Sequence, residues 1–130
     1  MIMITGGAYQ GKKAYAAERF GLSPEEMIDG TYCGYTELIN AKCVYNYHEF
    51  IKKLLKNGED AVQYTTELCD NNSGLIVIMD EIGSGIIPLD REERSWREVT
   101  GRCGCIIAER SDEVIRMICG IPEMIKDGKS

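Results

Sequence analysis

Only one histidine, one tryptophan and three prolines occur among the 130 residues, and no two cysteines stand at C-x-x-C spacing. Each scarcity closes off a class of protein. A lone imidazole leaves no histidine-rich metal centre to build. The six cysteines are Cys33, Cys43, Cys69, Cys103, Cys105 and Cys119, and only Cys103-Gly104-Cys105 is a close pair, so the paired short spacing of zinc sites is missing. Positive charge is also short: 15 Lys and Arg face 21 Asp and Glu, a net charge of −6, which argues against a nucleic-acid backbone as the main partner. No apolar run is long enough to span a membrane, and the apolar start is too short for the core of a signal peptide. The thiols are therefore expected to be reduced and mostly buried in a cytoplasmic protein. A cysteine-based metal or redox module stays open as an alternative.

What is present begins at the first residue. Met1 to Ile4 read as a short buried strand, Thr5-Gly6-Gly7 turns it, and Gly11-Lys12-Lys13 opens a helix. The spacing Gly6-x-x-x-x-Gly11-Lys12 is that of a phosphate-binding loop, in which glycines let backbone N–H groups curl around an anion at a helix N-terminus. Lys12 supplies a point charge for the outer phosphates. The next position usually holds Ser or Thr, whose hydroxyl helps bind Mg²⁺; here it is Lys13, which has no lone pair to give. Nucleotide binding is therefore expected to depend only weakly on Mg²⁺. The plainer alternative is that the glycines merely form a strand-to-helix turn.

Further along, periodicity predicts a helix over Lys12–Phe20, with Ala14, Ala17 and Phe20 on one face and Gly21 as its stop. Ser23-Pro24-Glu25-Glu26 has the form of a capping box, followed by a short strand over Met27–Asp29. Residues 30–43 read as loop with a helical turn near 37–41. Residues 44–57 form the clearest amphipathic helix, with Val44, Tyr47, Phe50, Ile51, Leu54 and Leu55 as its stripe. A second helix is expected over 60–69. Residues 75–79 (LIVIM) are a continuous apolar run, as in a strand buried on both faces, and they end in Asp80-Glu81. Such a strand resembles the element whose acid reaches Mg²⁺ beside a phosphate loop, making Asp80 the candidate metal ligand and Asp80 or Glu81 the candidate base. A Gly- and Pro-containing loop, residues 82–90, follows at the ligand-binding end of such a sheet. A long helix over Arg91–Arg110 carries Gly101 and Gly104, read as points of close approach to another backbone, and two strands, 114–119 and 123–126, close the chain. The reading is one α/β domain over 1–130: a three-layer, phosphate-loop fold with a central, mostly parallel sheet and a C-terminal strand pair.

With these stretches placed, the chain resembles the adenosylcobinamide kinase / adenosylcobinamide-phosphate guanylyltransferase family. Three blocks carry the resemblance: ITGGAYQGKKAYAAE, DEIGSGIIPLDREERSWREVTGR and SDEVIRMICGIPEMIK. The resemblance implies a homo-oligomer and two reactions of cobalamin (vitamin B12) biosynthesis. One phosphorylates the aminopropanol hydroxyl of adenosylcobinamide with GTP or ATP. The other transfers GMP onto that phosphate through a guanylyl-histidine, for which His48 is the one candidate. Carried over by position, the nucleotide site falls on Gly6, Gly7, Ala8, Tyr9, Gln10, Gly11, Lys12 and Lys13, with Gly83 of the second block and Arg102 at its helix end. Tyr9, Gln10 and Lys13 stand where the family has arginine and two serines. A nucleotide- or phosphate-binding relative without turnover is therefore the alternative function.

Overall fold

Side chains alternate across a β-strand, so a strand apolar on consecutive residues must be covered on both faces. The computed structural model, which describes residues 1–82 and 90–128, meets that demand with one six-stranded sheet between two helical layers. The strands are β1 (Ile2–Gly6), β2 (Met27–Asp29), β3 (Cys43–Tyr45), β4 (Ile76–Ile78), β5 (Glu113–Ile118) and β6 (Ile121–Lys126). Their order across the sheet is β2-β3-β4-β1-β5-β6, parallel throughout except for the antiparallel β5–β6 hairpin. The first strand thus occupies the middle, with Ile2 opposite both Ile76 and Glu113.

The helices are α1 (Lys12–Phe20), α2 (Tyr35–Leu38), α3 (Tyr47–Lys56), α4 (Ala61–Asn71) and α5 (Arg91–Arg110), with a 3₁₀ turn at Pro24–Glu26. Alternation sorts the sheet into two cores. Met3, Val44, Val77, Met79 and Val114 face α3, α4 and α5, while Ile4, Cys43, Ile76, Ile78, Ile115 and Met117 face α1. Asp60 and Asp90 cap α4 and α5 by accepting from the N–H groups of Gln63 and Glu93. The capping box at Ser23 and Glu26 is formed as read from the sequence.

Three details differ from expectation. Residues 43–45 are a strand, not the start of the amphipathic helix. Cys43-Val44-Tyr45 happens to run on into the apolar stripe of α3, but Asn46, in the left-handed region at φ 57°, separates the two elements. On α1 the buried small residue is Ala16, and Ala14 is exposed. Gly104 sits against the Met3 and Met79 methyl groups, where a Cβ would lie 3.7 and 3.8 Å from them, so it approaches side chains rather than backbone; Gly101 has nothing within 4 Å.

Cys33, Cys43, Cys69 and Cys103 are buried and all six cysteines are free. Burial pushes the four buried thiols up, that of Cys43 to about 12, which removes their reactivity. Among the described residues no group of three His, Cys, Asp or Glu is placed to hold a metal, and no helix is long and apolar enough to cross a membrane.

Candidate phosphate-binding site

At the carboxyl end of the central strand, β1 leaves through Gly6 with φ 143°. No other residue fits there, since a Cβ would lie 2.6 Å from the Met117 carbonyl oxygen on β5. The loop then turns back through Tyr9 (φ 60°) and Gly11 (φ 87°) into α1. Unlike α4 and α5, α1 has no side-chain cap, and its first turn carries no acid. Its free N–H groups and positive dipole end are left for an anion.

Ala8, Tyr9, Gln10, Gly11, Lys12, Lys13, Ala14, Tyr45, Asn46, Ile78 and Asp80 line a cleft of about 400 Å³ over that helix end. Lys12, only 7 % exposed, donates to the Gly7 carbonyl at 2.6 Å and pairs with Asp80 Oδ1 at 2.8 Å. The loop lysine and the acid after β4, 68 positions apart in the sequence numbering (80 − 12), are thus in direct contact.

His48 supports that acid from the other side. Its Nδ1 accepts the Asp80 backbone N–H at 3.0 Å, and its Nε2 lies 3.5 Å from Asp80 Oδ2 and 3.9 Å from Glu49 Oε1. Trp96 on α5 donates its indole N–H to the His48 carbonyl at 2.8 Å, which holds the start of α3 in place. Burial lowers the His48 pKa below the usual histidine value, outweighing the opposing pull of the Asp80 carboxylate. The neutral ring, with its proton on Nε2, is the form that satisfies both contacts.

Glu81 goes elsewhere. Its side chain emerges on the opposite face of the strand and forms a two-pronged pair with Arg116 on β5, at 2.9 and 3.1 Å. The acidic pair of the sequence is therefore split: Asp80 meets Lys12 and His48, Glu81 meets Arg116. Arg102 is exposed on α5 and does not line the cleft. Gly83 lies outside the described residues, as do its neighbours through residue 89.

Lys13 points across the cleft, its ammonium 3.9 Å from the centre of the Tyr45 ring. An exposed contact of this kind contributes about 0.5–1 kcal/mol, less than the roughly 1.5–3 kcal/mol of a hydrogen bond between charged groups. Lys13 is therefore only weakly held at the Tyr45 ring. Behind Tyr45, Asp29 accepts from the Thr31 N–H at 2.9 Å and from Asn46 Nδ2 at 3.1 Å. Although burial opposes it, these bonds and the Lys13 charge hold the Asp29 carboxyl below its ordinary value.

The phosphate loop is also fastened from behind. Gln10 accepts the Gly120 N–H on its carbonyl at 3.1 Å and the Cys119 N–H on its side-chain oxygen. Cys119 (φ 50°) and Gly120 (φ 78°) form the left-handed turn between β5 and β6. Sequence reasoning missed Tyr45, Asn46, Asp29 and Arg116. The first three sit at the ends of β2 and β3, and β3 was hidden in the helical pattern.

In phosphate-loop proteins the metal takes a hydroxyl after the lysine and a carboxylate from the neighbouring strand. Here the hydroxyl is replaced by an ammonium, and Asp80, the one carboxylate among the described residues that line the cleft, is paired with Lys12. These residues do not fit a protein-held Mg²⁺.

A parallel sheet with β1 central, a glycine loop running into an uncapped helix, and a lysine–aspartate pair at the strand ends define a protein of the phosphate-loop α/β class. Within it, residues 36–125 match the family described as cobinamide kinase / cobinamide phosphate guanyltransferase, and the chain belongs to that family. The matched range includes His48, Asp80 and Glu81 and begins after the phosphate loop. The chain is also similar to the bifunctional adenosylcobalamin biosynthesis protein CobU of Salmonella typhimurium, 32 % identical over 69 residues. That match covers 52 % of this chain and 38 % of the relative, so well under two thirds of the relative is represented.

Proposed function

We propose that this chain is a phosphotransferase of cobalamin biosynthesis, passing the γ-phosphoryl group of GTP or ATP to the alcohol of adenosylcobinamide or a related corrinoid. The observation that carries this reading is the Lys12–Asp80 contact over the bare N-terminus of α1, in a member of the cobinamide kinase family. Little covalent chemistry is asked of the protein in such a transfer; placement and charge do most of the work. Lys12 and the end of α1 offset the charge of the outer phosphates. The acceptor oxygen attacks the γ-phosphorus, the bond to the bridging oxygen breaks, and the nucleoside diphosphate leaves with that electron pair. Asp80 accepts the hydroxyl proton, and His48 keeps its carboxylate turned to the cleft.

The guanylyl-transfer half rests on His48, the sole histidine. Its burial and the engagement of both ring nitrogens with Asp80 favour a positioning role over attack on an α-phosphate. A second reading, nucleotide binding without turnover, is favoured by the ammonium in the metal-ligand position.

Incubation with γ- and α-labelled GTP, with and without adenosylcobinamide, separates these readings. The expected result is γ-label on the corrinoid, abolished in Lys12→Met. Bound GTP with no label transferred leaves the non-catalytic reading. α-Label on the protein, lost in His48→Ala, establishes the guanylyl step and overturns the purely positional role of His48.

A further inference from the structure

We propose that Lys13 takes the place of the divalent metal at this site, so that the cleft binds a nucleoside polyphosphate as the bare anion. The inference rests on the phosphate-site reading above and specifies the form in which the ligand arrives. Three observations converge on it. The position that elsewhere offers a hydroxyl to the metal holds an ammonium, and that ammonium, on an exposed side chain, rests over the Tyr45 ring at the lining of the cleft. Asp80, the carboxylate a metal would need, is committed on one oxygen to Lys12 and faces His48 with the other. The first turn of α1 carries two lysines, no acid and no side-chain cap, so it offers an anion positive charge with no competing carboxylate of its own.

The movement required is small. On anion entry Lys12 exchanges the Gly7 carbonyl for a phosphate oxygen, and Lys13 leaves a ring face to which it is weakly held. A metal brought in on the nucleotide would sit beside the Lys13 ammonium, and like charges at such range repel. Metal loading is therefore no help to binding here, the reverse of the usual phosphate loop.

Titration calorimetry of the whole chain with GTP, and separately with inorganic tripolyphosphate, in EDTA and in excess MgCl₂, tests this. Expected is an affinity in EDTA within about threefold of that in Mg²⁺, a difference below 0.7 kcal/mol on the scale where tenfold is about 1.4. Lys13→Ser should weaken metal-free binding by roughly tenfold or more and make Mg²⁺ strengthen it, whereas Lys13→Arg should retain metal-free binding, since only the charge is needed. Lys13 is exposed, so both variants should stay folded, with Lys13→Ser melting lower by no more than the small Tyr45 contact allows. Wild-type binding that needs Mg²⁺, or Lys13→Ser binding equal to wild type in EDTA, overturns this inference and leaves the phosphate site standing. No binding of either anion under any condition overturns the phosphate-site reading and this inference with it.

Discussion

His48 is a case where the type of residue was legible and its task was not. It lies within the amphipathic stretch 44–57, next to the stripe residue Tyr47, which agrees with its burial. The acid it supports lies 32 positions away, and no local pattern announces that bond. Because burial favours the neutral ring, its folded pKa lies below the 6.5 of an unfolded chain. The unfolded chain therefore takes up a proton first as pH falls. Stability is unaffected by this group above about pH 6.5 and declines below it, down to the folded value. His48→Asn, which keeps an acceptor for the Asp80 N–H and cannot titrate, should flatten that part of the profile. Urea melts of both proteins between neutral and mildly acid pH provide the check: a wild-type decline no steeper than that of His48→Asn refutes the assignment. Lys13 teaches a related lesson. Its departure from the usual residue was plain in the sequence, yet its resting place over Tyr45 was not, because Tyr45 belongs to a strand the pattern concealed.

Elements whose apolar period is long and well bounded were readable almost to the residue. Lys12–Phe20 and Arg91–Arg110 begin and end where the sequence puts them, because a glycine stop closes the first and Asp90 caps the second. The three-residue β3 escaped this approach because its residues run on into the stripe of α3 and fit either period, whereas β2, equally short, was read at its own bounds. Packing between helices adds polar bonds that periodicity does not encode. Tyr47 on α3 and Thr65 on α4 share a 2.7 Å hydrogen bond in the core, and burial drives the Tyr47 hydroxyl well above its ordinary pKa. Tyr47→Phe keeps the shape but strips that bond, and should cost about 1–2 kcal/mol, read as a lower urea midpoint at unchanged slope. No loss of stability would mean that Thr65 finds its partner elsewhere.

On the scale of the whole molecule, the two faces of the sheet were legible and its outer edge was not. The alternation of Met3 with Ile4, and of Val77 with Ile78, dictates two helical layers before any coordinate is known. Nothing in the sequence told that β6 would be an edge strand with every residue exposed. Ile121 is 68 % exposed and Ile125 57 %, with Met124 and Ile118 beside them. Apolar edge strands invite pairing with another chain. The expected outcome is a concentration-dependent homo-oligomer by sedimentation, with Ile125→Lys shifting it to monomer; a wild type that stays monomeric at high concentration sets this expectation aside.

The grip of Gln10 on the Cys119–Gly120 turn also fixes an order of events during translation. β1 precedes one of its two neighbours, Glu113–Ile118, by more than a hundred positions, and the loop after β1 gains its rear support only once residue 120 is out. Closing so long a stretch of chain is slow compared with local helix formation. The loop after β1 is therefore among the last parts to settle, and nascent chains lacking the hairpin should be blind to nucleotide.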